Sequence, residues 1–136
     1  MDEIIYRSDL KITSDDFIDV LKRSTLGERR PVGEPPRIAK MLAYGNILVT
    51  AWSGNILVGV SRALSDFSFC CYLSDLAVDT AFQRQGIGKR MIEETHKLAG
   101  KNTMLILLSA PTAVTYYQKI GMERFADCFI IKRKTN

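Results

Sequence analysis

Apolar positions along the 136-residue chain follow two spacings, three-to-four residues in some stretches and continuous β-branched runs in others, and each predicts a kind of element. Phe17, Val20 and Leu21 fall on one helical face behind Thr13, Ser14, Asp15 and Asp16, where a capping side chain precedes acidic residues that suit a first turn. A first helix is expected from Thr13 or Ser14 to about Arg23, after a short strand at Ile4–Arg7. Ile38, Met41 and Leu42 share the face of a second helix, opened by Pro36 and closed by Gly45. Between these helices residues 24–36 hold most of the prolines and no apolar period, which predicts a loop long enough to carry function.

Ile47–Trp52 and Ile56–Leu64 are apolar runs separated by Ser53-Gly54-Asn55, the pattern of an antiparallel hairpin. Asp66–Ser68 turns the chain again into a third strand, Phe69–Val78, so a meander is expected. Ile87, Met91, Ile92, Thr95, Leu98 and Ala99 then form the buried stripe of a helix ended by Gly100, with Lys89, Arg90, Glu93, Glu94 and Lys97 outward. Met104–Leu108 is continuously apolar, as for a strand covered on both faces. A last helix from Pro111 or Thr112 to about Ile120 stops at Gly121, and Cys128–Lys132 is expected to be a closing strand. The order predicts a mixed α/β (α+β) fold.

Composition narrows the class without naming a function. With 46% hydrophobic residues the chain can build one core, and a single domain over residues 1–136 is expected. Its longest apolar stretches fall far short of the roughly 20 residues that cross a bilayer. The N-terminus lacks the features of a signal peptide, so a soluble cytoplasmic protein without a membrane partner is expected. Cys70, Cys71 and Cys128 are odd in number and suggest reduced core thiols, and His96 stands apart from them, which gives no metal site. A charge of +4 favours anionic ligands in general. Nucleic-acid binding rests only on this balance and on the tail Lys132-Arg133-Lys134, and no nucleic-acid partner is expected.

The chemistry concentrates where the third strand meets the third helix, in Gln83-Arg84-Gln85-Gly86-Ile87-Gly88-Lys89. Two glycines let the backbone turn sharply and approach a ligand, and the helix start beside them adds free N–H groups and a positive dipole end. A phosphate or diphosphate suits such a place. The dinucleotide fingerprint fails because Met91 stands at the third small position, and the nucleotide-triphosphatase loop fails at Gln83 and Arg90.

The spacing instead resembles the Q/R-x-x-G-x-G/A motif of the GNAT superfamily of N-acetyltransferases, matched in full by Gln83 to Gly88. Tyr72–Val78 resembles the family's fourth strand, and Ala113-Val114-Thr115-Tyr116-Tyr117-Gln118-Lys119-Ile120-Gly121-Met122 resembles its A-x-x-x-[FY]-Y-[EQ]-[KR]-x-G-[FM] helix. The likeness covers nearly the whole chain and is weakest before Gly45. It implies a mixed central sheet of about six to seven strands with about four helices, and an acyltransferase that moves an acetyl group from acetyl-CoA to a primary amine of a small molecule or peptide.

By the same resemblance the acetyl-CoA diphosphate lies on the amides of Gln83, Arg84, Gln85, Gly86, Ile87, Gly88 and Lys89, and the pantetheine arm pairs along Leu76, Ala77 and Val78. Tyr117 matches the family's proton donor to the CoA sulfur, and Tyr116 is expected to be packed instead. Members with a strand base carry it at positions aligning with Tyr72 or Ser74, neither of which is basic enough here. Asp75 is the nearest carboxylate, a candidate relay, although strand alternation turns it away from Tyr72 and Ser74. Arg29, Arg30, Trp52, Phe67 and Phe69 are candidates for the acceptor side. The competing reading is a CoA-binding sensor or regulatory protein without turnover. Self-association through an exposed sheet edge, with the C-terminal strand as its candidate, adds a homodimer.

Overall fold

The computed structural model describes residues 3–134. Its centre is a five-stranded sheet in the order β1 (Ile4–Arg7), β2 (Ile47–Ser53), β3 (Ile56–Ser65), β4 (Cys70–Val78) and β5 (Met104–Leu107). The first four strands pair antiparallel, and β5 joins β4 in parallel. A parallel neighbour needs a crossover, which is supplied by α3 (Ile87–Ala99). Helices α1 (Ser14–Ser24), α2 (Pro35–Tyr44) and the short α4 (Val114–Lys119) are the other α-helices among the described residues.

Most boundaries follow local chemistry. The Thr13 side chain accepts from the Asp16 N–H, and the Asp16 carboxylate accepts from the Thr13 N–H, a reciprocal cap that starts α1 where expected. Pro35 occupies the first position of α2, where a missing N–H costs nothing. The loop expected over residues 24–36 is shorter, because α1 runs to Ser24 and α2 starts at Pro35 rather than Pro36, and it contains a 3-10 turn at Leu26–Arg29.

Helix α3 covers one face of the sheet through Ile87 and Met91 against Val49, Ala51, Val58, Ala63 and Leu73. On the other face α1 and α2 pack Phe17, Val20, Leu21 and Ile38 against Leu57, Val60 and Ala77. Leu98, expected in the α3 stripe, is half exposed and belongs to neither cluster, so no sheet residue lies beneath it.

Three further expectations are corrected. The sheet has five strands rather than six or seven, and Cys128–Lys132 forms no closing strand. Strand β5 is covered on one face only rather than on both: Leu105 and Leu107 meet the core, while Met104, Ile106 and Leu108 are more than half exposed. Of the cysteines, all free, Cys71 alone is a core residue, and Cys70 and Cys128 lie at the surface.

Candidate active site

Strand β4 carries one residue too many for its partner. Arg62 of β3 lies opposite Asp75 while the next residue, Ala63, lies opposite Leu73, so Ser74 is an extra residue, a β-bulge. Pairing with β5 stops at the same place, since Leu73 opposite Leu107 is the last parallel pair. Beyond it the two strands part, and the edge of β4 from Ser74 to Val78 has no strand beside it.

Peptide groups of alternate residues project from the same edge of a strand, and the Asp79 N–H bonds back to the Val58 carbonyl of β3. Odd-numbered residues from 75 to 79 thus face β3, and Ser74, Leu76 and Val78 face the gap. Of the three residues expected to pair with pantetheine, Leu76 and Val78 point into the gap, while the peptide groups of Ala77 face β3. Two side chains already occupy parts of this edge: Arg30 Nη2 donates to the Ser74 carbonyl at 2.7 Å, and Gln83 Nε2 donates to the Val78 carbonyl at 3.1 Å. The carbonyl and N–H of Leu76 lie between these two bonds.

The glycine loop closes the far end of this edge. Arg84 and Gly86 both take positive φ, +65° and +80°, which folds the backbone sharply before α3. No side chain caps that helix, so its first turn presents N–H groups as the loop sequence predicts. Gly88 is buried, and a Cβ there would lie 2.7 Å from the Tyr116 Oη, which fixes that phenol against the start of α3. Burial pushes the Tyr116 phenol up, and the Lys89 backbone N–H beside it pulls the other way. Tyr116, expected to be packed, is 38% exposed. Arg90 points away from the loop, stacking over the Tyr6 ring at 4.7 Å and pairing with Glu94 at 2.9 Å.

Tyr117 meets Tyr116 edge to face, with ring centroids 5.2 Å apart. It is half-buried and belongs to neither core cluster. Burial raises its phenol above the ordinary value of 10, the Tyr116 phenol adds to the rise, and the Arg30 guanidinium opposes it. Tyr117 is thereby linked through the Tyr116 ring to the start of α3 beside the glycine loop.

Asp75 is fully buried between two guanidiniums. Its Oδ1 accepts from Arg30 Nε, and its Oδ2 from Arg62 Nε at 2.5 Å. Arg62 also donates to the Ser74 Oγ and to the Met41 carbonyl, tying the strand pair to α2. The bulge corrects the expectation from alternation: Leu73 faces α3, yet Asp75 and Ala77 both face α1 and α2, so Ser74 and Asp75 reach the same guanidinium. Sequence reasoning overlooked Arg62, although a lone cation inside the apolar run Val58–Leu64 announces a buried partner.

Of the acceptor-side candidates, Arg30 reaches the gap and Arg29 is exposed beside it. Trp52 is packed on the α1 and α2 side with its indole N–H on Thr50, and Phe67 and Phe69 sit at the opposite end of β4 from the glycine loop. Arg23 links α1 to the end of β4 by donating to Asp79 at 2.5 Å and to the Leu57 carbonyl. Among the described residues no helix is long and apolar enough to cross a membrane, and no group of three metal-ligating side chains is present.

Known proteins share this fold. A GNAT-family acetyltransferase from Streptococcus pneumoniae superposes with a TM-score of 0.79 at 21% identity, over 98% of this chain and 100% of that one. An aminoglycoside N-acetyltransferase in complex with CoA gives a TM-score of 0.74 at 13% identity, over 98% of this chain and 97% of that one. Among curated relatives, GCN5-related N-acetyltransferase 2, chloroplastic, of Arabidopsis thaliana and a histone acetyltransferase of Glycine max are each 32% identical over 69 residues, or 49% of this chain. The matches span only 27% and 30% of the lengths of those two relatives. The model of the acetyltransferase (GNAT) domain matches residues 33–129, from the loop before α2 through the glycine loop and both tyrosines. That match covers most of the chain, and the protein belongs to the GNAT acetyltransferase family.

Proposed function

We propose that this chain is an acetyl-CoA-dependent N-acetyltransferase acting on a primary amine of a small molecule. The observation that carries the reading is the open β4 edge lying between an uncapped helix start and the half-buried Tyr117 phenol. The residues present suit the donor: the loop from Gln83 to Lys89 offers amides to a diphosphate, and the outward peptide groups of Leu76 and Val78 suit the amides of a pantetheine arm. Acetyl-CoA supplies a thioester carbonyl for a neutral amine to attack and a thiolate to leave.

Tyr117 donates its phenolic proton to the departing sulfur, and its burial keeps that proton in place at neutral pH. Gln83 braces the strand end from which the gap opens. Asp75 holds Arg30 in place rather than relaying a proton, because both its oxygens already accept from guanidiniums. The acceptor amine loses its proton to water, directly or along a water chain. A structurally similar aminoglycoside acetyltransferase from a soil metagenome, solved with sisomicin and with trehalose, supports a small-molecule acceptor.

Thiol release from acetyl-CoA across a panel of arylalkylamines, polyamines, amino acids and lysine peptides tests the proposal. Turnover with at least one amine is expected, and Tyr117→Phe should lower kcat by about 10²-fold or more while acetyl-CoA still raises the melting temperature. Stabilisation by acetyl-CoA with no thiol release from any amine would favour the sensor reading instead. Full turnover in Tyr117→Phe with an unchanged pH profile would remove the tyrosine from the mechanism.

A further inference from the structure

We infer that Tyr116 is a second tyrosine of the donor site, its phenol giving a hydrogen bond to the diphosphate of acetyl-CoA at the corner where the β4 edge meets α3. This rests on the acetyl-CoA reading and adds a residue that neither the glycine loop nor the proton donor accounts for. Two elements converge at that corner. A Cβ on Gly88 would lie 2.7 Å from the Tyr116 Oη and 3.8 Å from a methyl of Val78. The phenol oxygen, the first turn of α3 and the last residue of β4 thus come together around one glycine. A ligand that runs along the open edge past Val78 and sets an anion on the helix start has to turn here.

Packing explains the ring and not the oxygen. The Tyr116 ring meets Tyr117 edge to face, yet Tyr116 belongs to neither core cluster and is 38% exposed. A phenylalanine would make the same ring contact. The hydroxyl lies beside the Lys89 backbone N–H, one of the first-turn donors that no side chain caps. Its oxygen accepts from that N–H and its hydrogen is left over, because among the described residues no protein oxygen takes it. Burial lifts the phenol above its ordinary 10.0, so the hydrogen stays in place at neutral pH. The phenol therefore passes the helix's donor one group further out, and a chain from amide to phenol to anion strengthens both of its links.

An anion is the fitting acceptor for that hydrogen. Arg90 is committed to Tyr6 and Glu94, and the side chains of Arg84 and Lys89 are exposed, where salt and water screen their charge. Fixed neutral donors are left to orient the ligand. A phenol held at its ring by Tyr117 and at its oxygen by the start of α3 loses little freedom when the ligand arrives. A diphosphate oxygen also accepts more strongly than the neutral carbonyls of a pantetheine arm.

Titrating the full chain with CoA and dephospho-CoA by calorimetry, and with millimolar pantetheine by NMR, separates the two ends of the ligand. Tyr116→Phe is expected to weaken CoA about 10-fold or more, as for a lost hydrogen bond to a charged group. Dephospho-CoA, which keeps the diphosphate, should weaken by the same factor, and pantetheine, which carries no phosphate, should not. The far-UV spectrum and the ligand-free melting temperature of the variant should match those of the wild type, because the ring is kept. Equal affinity of the two proteins for CoA would overturn the role of Tyr116 and leave the acetyl-CoA reading intact. Tighter binding by the variant would overturn it as well, by showing that the phenol competes with the anion for the helix start. An equal loss for CoA and pantetheine would refute it by moving the bond to the arm. A wild-type chain that binds neither CoA nor dephospho-CoA would remove the donor reading itself, and the role of Tyr116 with it.

Discussion

Replacing Asp75 by Asn distinguishes a structural carboxylate from a catalytic one. The side chain is fully buried and accepts from Arg30 on one oxygen and Arg62 on the other. Asparagine keeps the shape but removes the charge, and its amide nitrogen cannot accept from the second guanidinium. Arg30, with 21% of its side chain exposed, can relax toward water, whereas Arg62, with 8%, cannot. The cost is therefore that of leaving one buried cation unpaired, about 3–5 kcal/mol. Against a total stability on the order of 5–15 kcal/mol that is a large fraction. For a domain of this size it lowers the melting temperature by roughly 10–20 °C.

Urea denaturation read by circular dichroism measures the loss, with an unchanged m-value showing that the unfolding reaction is the same. Removing Arg62 as well should return much of the stability, so Asp75→Asn with Arg62→Met should be less destabilised than the two single variants summed. At a temperature where the single variant stays folded, kcat should keep the pH dependence of the wild type. If Asp75→Asn instead keeps its stability within about 0.5 kcal/mol and erases the acidic limb of the kcat profile, the clamp account is wrong and Asp75 is the base.

Three further outcomes follow from the same geometry. Because burial raises the Tyr117 pKa above 10.0, the phenol proposed as donor keeps its proton to that pH, so the basic fall of kcat should lie above it and the acidic limb should report acceptor deprotonation. A basic fall centred near pH 8 that disappears in Tyr117→Phe would contradict the direction of that shift. Gly88→Ala drives a Cβ to 2.7 Å from the Tyr116 Oη, which must swing away from the start of α3; the expected result is a KM for acetyl-CoA raised about 10-fold, roughly 1.4 kcal/mol, in a folded protein. An unchanged KM would mean that the phenol has no part in shaping the loop. Asp66 accepts from the backbone N–H groups of Ser68, Phe69 and Cys70, which hold its pKa at about 2, below the ordinary 3.8. A depressed folded value means that the contribution of this turn is complete above pH 3.8 and is lost as pH falls through about 2, and an NMR titration of the carboxyl with a midpoint near 3.8 would refute it.

What could be foreseen and what could not divides at a single residue. The cap at Thr13, the Gly54 turn and the glycine loop are local, decided by the conformations that a few neighbouring residues allow, and each stands where the sequence puts it, whereas α2 begins at Pro35, one residue before the Pro36 expected to open it. The closing strand at Cys128–Lys132 was equally legible as a propensity, but a strand needs a partner edge, and whether its own chain offers one is a tertiary matter. The bulge at Ser74 belongs to that second kind, since an extra residue is defined only by the strand across from it. Yet this one residue builds the site. It ends the β4 and β5 pairing at Leu73, which frees the backbone of Leu76 and Val78, and it reverses the alternation, which turns Asp75 toward α1 and α2. There Asp75 captures Arg30, and Arg30 in turn bonds the Ser74 carbonyl at the point where the strands part. Opening the sheet and bracing the opening are thus two effects of the same inserted residue, which strict alternation along β4 would exclude.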